Sequence, residues 1–121
     1  MELAFLENLL KKPEALDIED FLNNIDMEEE VSYEDADAFV KPVVLNAQED
    51  AQVVLNEAKA GNIVLVNIGD LSKRNAIKLK ELITDIKVGI EQINGDIARV
   101  SDDKVIITPS KVKIIKRKEH R

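Results

Sequence analysis

The feature that most limits how this chain can fold is the run Ile63-Val64-Leu65-Val66, closed off by Gly61 before it and Gly69 after it. A short, unbroken apolar run suits a strand buried on both faces. The segments around it have the other periodicity. Ala47, Ala51, Val54, Leu55 and Ala58 recur at helical spacing on one side. On the other side Ala76, Leu79, Leu82, Ile83, Ile86, Ile90 and Ile93 form a single stripe. Asn46 opens a capping box with Glu49 for the first helix, and Gly61 supplies its left-handed stop. Ser72 is placed to cap the second helix, which ends at Asn94-Gly95. Val43 to Leu45 form a β-prone run before the first helix. After the second comes a hairpin, Ile97 to Val100 and Val105 to Thr108, about a turn at Ser101-Asp102-Asp103. Pro109 breaks it, and Val112, Ile114 and Ile115 suggest a last strand. The order β-α-β-α-β-β-β predicts an α+β fold: a two-layer α/β sandwich with two helices packed on a four- to five-stranded sheet. So small a core leaves apolar surface for a second copy to cover, which predicts a homodimer.

Composition narrows the chemistry. Apolar residues are 45% of the 121-residue chain but aromatics only 3%, so the core is aliphatic. That length suits one domain with a tail or two. There is no Cys, and the one His, His120, lies near the C-terminus. Disulfides, thiolate metal sites and His-based catalysis have nothing to build on; no enzyme, metal or cofactor is expected. Gly69 and Gly95 lack the spacing of a phosphate-binding loop and read as turn residues. Asn67 ends a strand where ligands often bind in α/β folds, though a hydrogen-bonded strand end is the plainer reading. Glu49, Asp50, Glu57, Asp85 and Glu91 read as solvated helix carboxylates without basic partners. No apolar run approaches membrane-spanning length and no signal peptide is visible, so a cytosolic or peripheral protein is expected.

The net charge of −7 conceals a polarity along the chain. Residues 1–40 carry 13 acidic and two basic side chains, whereas residues 41–121 carry 11 acidic and 15 basic ones. Such asymmetry separates a tail from a folded unit. Residues 1–12 read as an amphipathic helix with Met1, Leu3, Phe5, Leu6, Leu9 and Leu10 apolar, ended by Pro13. Residues 13–40 read as an acidic linker, largely disordered, though Ile18, Phe21, Leu22 and Ile25 give it an acidic helical stripe. Residues 41–115 are the α/β core and 116–121 a basic tail. A small nucleic-acid-binding protein using Lys111 to Arg121 is the alternative reading. The basic end lacks interleaved aromatics, so a solvated or lipid-headgroup-facing tail is preferred and no nucleic-acid partner is expected.

From Val43 to Val112 the chain resembles the SepF family. The resemblance rests on the helix start Asn46-Ala47-Gln48-Glu49-Asp50-Ala51, on Gly61 before Ile63-Val64-Leu65-Val66-Asn67-Ile68, on Gly95-Asp96-Ile97, and on Val105-Ile106-Ile107-Thr108-Pro109-Ser110-Lys111-Val112. It implies a cell-division adaptor with three parts in this order: an amphipathic membrane helix, an acidic linker and a dimeric core that binds the C-terminal peptide of FtsZ. Bacterial members carry an Asp-Phe-Leu-x-Gly stretch tied to higher assembly. Here the stretch Glu81-Leu82-Ile83-Thr84-Asp85-Ile86-Lys87-Val88-Gly89 puts its glycine one place off, so the resemblance is to the archaeal branch and that role is not carried over.

The resemblance implies that the FtsZ peptide, apolar and acidic, sits against the hairpin and second helix. Arg99 and Val105 flank the hairpin turn and are the candidate contacts, with Lys78 and Lys80 assisting. Leu16 to Leu22 itself resembles that acidic, apolar peptide and reads either as an internal mimic or as a plain acidic helix. Leu3, Phe5, Leu6, Leu9 and Leu10 are the candidate membrane contacts. One such helix is a marginal anchor, and two copies on a dimer strengthen it through effective concentration. Changing Leu6 and Leu9 to Glu is expected to abolish co-sedimentation with liposomes while the circular dichroism of the core stays unchanged.

Overall fold

A computed structural model describes residues 14–25 and 33–116 of the chain. The expected membrane helix, part of the acidic linker and most of the basic tail lie outside these residues. The chain forms two compact units, one ending at Asp35 and the other starting at Ala36. In the first, the acidic stripe forms helix α1, Glu14–Asn23. Ile18, Phe21, Leu22 and Ile25 are all exposed there.

The second unit runs β1 Val40–Val44, α2 Gln48–Lys59, β2 Ile63–Asn67, α3 Gly69–Arg74, α4 Ala76–Gln92, β3 Asp96–Ser101 and β4 Lys104–Thr108. The four strands lie in the order β1-β2-β4-β3. β1 and β2 are parallel, while β4 pairs antiparallel with both β2 and β3. The two-layer α+β expectation therefore holds, with four strands. The sheet's helix-facing side follows from register: Val43 opposes Val66, Val66 opposes Val105, Val64 opposes Ile107, and Ile107 opposes Ile97. Val54, Leu71, Leu82, Ile86 and Ile90 pack onto these residues, all buried. Each such side chain removed from water contributes about 1.5–3 kcal/mol before chain entropy is charged against it.

The structure corrects several local expectations. β2 is covered on one face only. Val64 and Val66 are fully buried, but Ile63 and Leu65 are half-buried, because both long helices occupy the same layer. The cap of α2 lies at Ala47, not Asn46. Ala47 has no side-chain acceptor, so the Asp50 carboxylate takes the N–H groups of both Asn46 and Ala47, at 2.9 and 3.0 Å. Asp50 thus fills the role expected of Glu49. Ser72 caps nothing and lies inside the short helix α3; Asn75 caps α4, its Oδ1 accepting from the Lys78 N–H at 3.0 Å. Glu57 is no unpartnered carboxylate. It accepts from Asn62 at 2.8 Å and from Lys41 at 3.1 Å, and these bonds, Asn62 first, lower its pKa.

Two left-handed residues end the long helices, Gly61 at φ +96° and Asn94 at φ +62°. Gly95 is needed for a different reason: a Cβ there would lie 2.5 Å from the Thr108 carbonyl oxygen. At Gly89 a Cβ would meet the Leu55 methyl at 2.6 Å, so this glycine lets α2 and α4 pack closely.

Among the described residues the expected last strand does not form. Residues 112–116 run as a strap held by side chains instead of a ladder. The Thr108 hydroxyl donates to the Val112 carbonyl at 2.6 Å, the Ile114 N–H donates to Asp96 at 3.0 Å, and the Lys113 ammonium donates to the Asn94 carbonyl at 2.6 Å. Asp96 also pairs with Lys116. The Lys116 ammonium, followed by the Ile114 N–H, lowers the Asp96 carboxyl from 3.8 to about 2. A depressed carboxylate stabilises the fold above its unfolded pKa and loses that contribution as pH falls through its folded one. Asp96→Asn is accordingly expected to lower the denaturation midpoint at neutral pH. The gap between variant and parent should close as pH falls from 3.8 toward about 2.

Candidate functional site

The sheet extends past α4 at its β3 edge, and a groove forms there. On α4 the residues Leu82, Ile86 and Ile90 face the core. One step round the helix, Leu79, Ile83 and Lys87 follow each other at four-residue spacing along the flank. On β3, Ile97 and Arg99 are two apart and share the helix-facing side, opposite Ile107 and Val105. Leu79, Ile83, Lys87, Ile97, Arg99 and Val105, with Ile68, Ser72 and Ala98, line an open groove of about 490 Å³. The floor is aliphatic, and Arg99 and Lys87 lie at its rim.

Arg99 is aimed by the hairpin turn. Its Nε–H donates to the Ser101 carbonyl at 2.9 Å and its Nη2 to the Asp102 carbonyl at 2.7 Å. The Asp102 carboxylate is 4.0 Å away and fully solvated, so it offsets little of the positive charge. A guanidinium has five donors; those not spent on the turn are available to a ligand carboxylate. The turn is itself braced: Ser101 Oγ donates to Asp103 at 2.9 Å and Lys104 pairs with Asp103 at 3.2 Å. These contacts, Ser101 first, hold the Asp103 pKa low.

The structure brings Arg99 and Val105 to one groove. Lys78 and Lys80 do not line it. Helical geometry puts Lys80 on the flank of Ile83 and Lys87, and Lys78 on the opposite flank with Gly89. Leu79, Ile83, Lys87, Ile97 and Ile68 were not singled out from the sequence. One signal did exist: the flank of the apolar stripe that runs Leu79, Ile83 ends in a lysine at the next turn. Asn67 takes the plainer role, its Oδ1 accepting from the Gly69 N–H at 2.9 Å. It lines a second, polar hollow of about 670 Å³ that shares Arg99 and Ser72 with the groove. Among the described residues no cluster of three or more potential metal ligands occurs, and no helix is long and apolar enough to cross a membrane. Leu3, Phe5, Leu6, Leu9 and Leu10 lie outside these residues.

This architecture is shared with known proteins. A family model described as Cell division protein SepF matches residues 40–114. Cell division protein SepF of Haloferax volcanii is 24% identical over 103 residues, spanning 85% of this chain and 80% of that protein. The SepF-like protein from Pyrococcus furiosus superposes with a TM-score of 0.59 at 30% identity, covering 73% of this chain and 99% of that one. The SepF-like protein from Archaeoglobus fulgidus gives a TM-score of 0.61 at 24% identity, with 69% and 99% coverage. Cell division protein SepF from Methanobrevibacter smithii, solved in complex with FtsZ-CTD, shares the fold with a TM-score of 0.53 at 16% identity, covering 65% of this chain and 99% of that one. The family match spans the whole sheet with α2 and α4, and the chain belongs to the SepF family of cell-division proteins.

Proposed function

We propose that this protein is a non-enzymatic adaptor that binds the C-terminal peptide of FtsZ in the groove between α4 and β3 and tethers FtsZ filaments to the inner face of the membrane at the division site. The observation that carries this reading is the groove itself, aliphatic on its floor and cationic on its rim. A short apolar and acidic peptide needs both: pockets for its anchors and a cation for its carboxylates. The Methanobrevibacter smithii relative, of the same fold, binds the FtsZ C-terminal domain. Arg99 and Val105 are the principal contacts in this reading, Lys87 joins them, and Lys80 assists from its flank. The test is a titration with an FtsZ C-terminal peptide. Arg99→Glu should weaken binding by about 1.5–3 kcal/mol, the range of hydrogen bonds to charged groups, whereas Lys78→Glu should leave it unchanged. Full affinity in the Arg99 variant would move the site elsewhere.

The tether needs a second copy. The helix-free side of the sheet carries Pro42, Leu65, Ile106 and Ala98 in one register row, with Val40 and Ile63 paired beside it. Val40 is 65% exposed and Leu65 and Ile106 are half-buried. An aliphatic row across four strands is the kind of patch a partner covers, and a second copy presents the same row for an isologous contact. A dimer would bring two N-terminal segments to one membrane and raise their avidity. Light scattering of the full chain at micromolar concentration is expected to give a dimer, and Leu65→Glu with Ile106→Glu a monomer. A monomeric parent chain would remove this part of the reading.

A further inference from the structure

The two edges of the sheet are built differently. β1 and β3 are its outer strands. At β1, the Phe39 carbonyl accepts the Ile63 N–H and the Leu45 N–H donates to the Asn67 carbonyl, both at 2.9 Å. The odd-numbered residues of β1 therefore turn their backbone toward β2, and Val40, Pro42 and Val44 turn theirs outward. Pro42 has no N–H to present there. It costs the ladder nothing and blunts that edge against a further strand.

β3 carries no such guard between Ile97 and Arg99. The Ile68 N–H donates to the Asp103 carbonyl at 2.9 Å. Steps of two along the register then make Val66 with Val105, and Val64 with Ile107, the hydrogen-bonded pairs of β2 and β4. Val105 and Ile107 spend their backbone groups on β2, so their β3 partners Arg99 and Ile97 turn theirs to the open side. The Ile97 N–H agrees: it donates to Asp96 Oδ1 at 2.9 Å instead of to β4. Three backbone groups are left facing outward, the carbonyl of Ile97 and both the N–H and carbonyl of Arg99. Among the described residues none of the three has a protein partner. They open onto the groove. Ile97, Ala98 and Arg99 all line it, although the Ala98 side chain belongs to the other side of the sheet, so the groove reaches the edge of the strand itself. The strap bonds β3 at Asp96, and none of the residues 112–116 lines the groove.

We propose that the FtsZ C-terminal peptide binds by adding to β3 as a fifth strand, its backbone bonded to Ile97 and Arg99 and its alternate side chains in the groove. The identity of the peptide rests on the proposed function; the mode of binding is a separate claim, since a helical ligand could fill the same groove. A helix spends its backbone on itself and would leave the three groups of β3 to water, whereas an added strand satisfies them. Strand addition also sets the spacing of the ligand. Ile97 and Arg99 face the helices, so the two peptide residues beside them point into the groove and are two apart. Arg99 favours a carboxylate beside it. Asp96 adjoins Ile97 and repels a second carboxylate, and Ile107 lies next to Ile97 on the same face, so an apolar residue suits that place. The groove thus selects an acidic and an apolar residue separated by one, where a helical ligand would space them by three or four.

The experiment is a backbone N-methyl scan of a synthetic FtsZ C-terminal peptide, titrated against the full chain. The carbonyls of Ile97 and Arg99 each take one peptide N–H, whichever way the strand runs. Methylation should therefore weaken binding at least about threefold at two amides two residues apart, and methylation of the amide between them should leave it unchanged. Amide exchange gives the protein's side of the same contact. The Arg99 N–H should exchange fast in the free chain and at least about tenfold more slowly at saturating peptide. The Ala98 N–H, which faces β4, should be slow in both states. Losses at adjacent amides, at a spacing of three or four, or at none overturn strand addition, as does an Arg99 N–H that still exchanges fast in the saturated complex. The groove itself is judged by Arg99→Glu. If that variant weakens binding of the unmodified peptide, the proposed function stands whatever the methylated amides show; if it does not, both readings fall.

Discussion

The whole core depends on one layer of helix covering one side of a four-stranded sheet. β4 lies between β2 and β3, so Val64, Val66, Val105 and Ile107 form the centre of the buried side, and Leu82, Ile86 and Ile90 close over them. Two helices cannot span more than this. α2 and α4 already pack so closely that a Cβ at Gly89 would have to displace the Leu55 methyl groups. What they leave uncovered is therefore determined: the far side of the sheet, and the helix-facing side of the β3 edge. The proposed dimer face and the peptide groove are these two remainders. Neither required an element of its own.

The groove is largely organised for the proposed peptide in advance. Leu79 and Ile83 are held by packing against the core, and Arg99 is held by two turn carbonyls. A long cation restrained in this way loses less rotamer freedom on binding than a free one, which matters because each ordered side chain costs about 0.5–1.5 kcal/mol. The bulge between Arg99 and Ser101 adds to this. Bulges re-aim side chains at strand ends, and here the displaced backbone presents the carbonyls that Arg99 uses.

Much of this was legible in the sequence, because it depends on local periodicity. The α4 stripe, the run at Ile63, the hairpin and the stop at Gly61 each announce themselves within a window of a few residues. What was missed depended on distance. Asn46 and Ala47 compete for one cap, and the competition is settled by which carboxylate, Glu49 or Asp50, reaches back. The run Val112, Ile114, Ile115 is as β-prone as a strand, but its fate was decided by Asp96, 18 residues earlier, which takes the Ile114 N–H that a ladder would have used. Burial of β2 on both faces was a fair inference from an unbroken apolar run; only the count of layers shows that one face stays open. For the groove, Arg99 and Val105 were visible as flanks of a turn. Lys87 and Ile83 became partners to them only when α4 crossed β3.

β3 connects the two uncovered surfaces. Its residues alternate, Ile97 and Arg99 toward the groove and Ala98 on the face with Leu65 and Ile106. A slip of one residue in its pairing would exchange the two sets, placing Arg99 in the aliphatic row and Ala98 at the rim. Two devices oppose such a slip. Asp96 ties the start of the strand to the C-terminal strap, and the braced turn at Ser101 to Lys104 ties its end. The strand is thus anchored at both termini while its middle serves two sides. The register that keeps these two surfaces apart is therefore fixed by one aspartate and one turn.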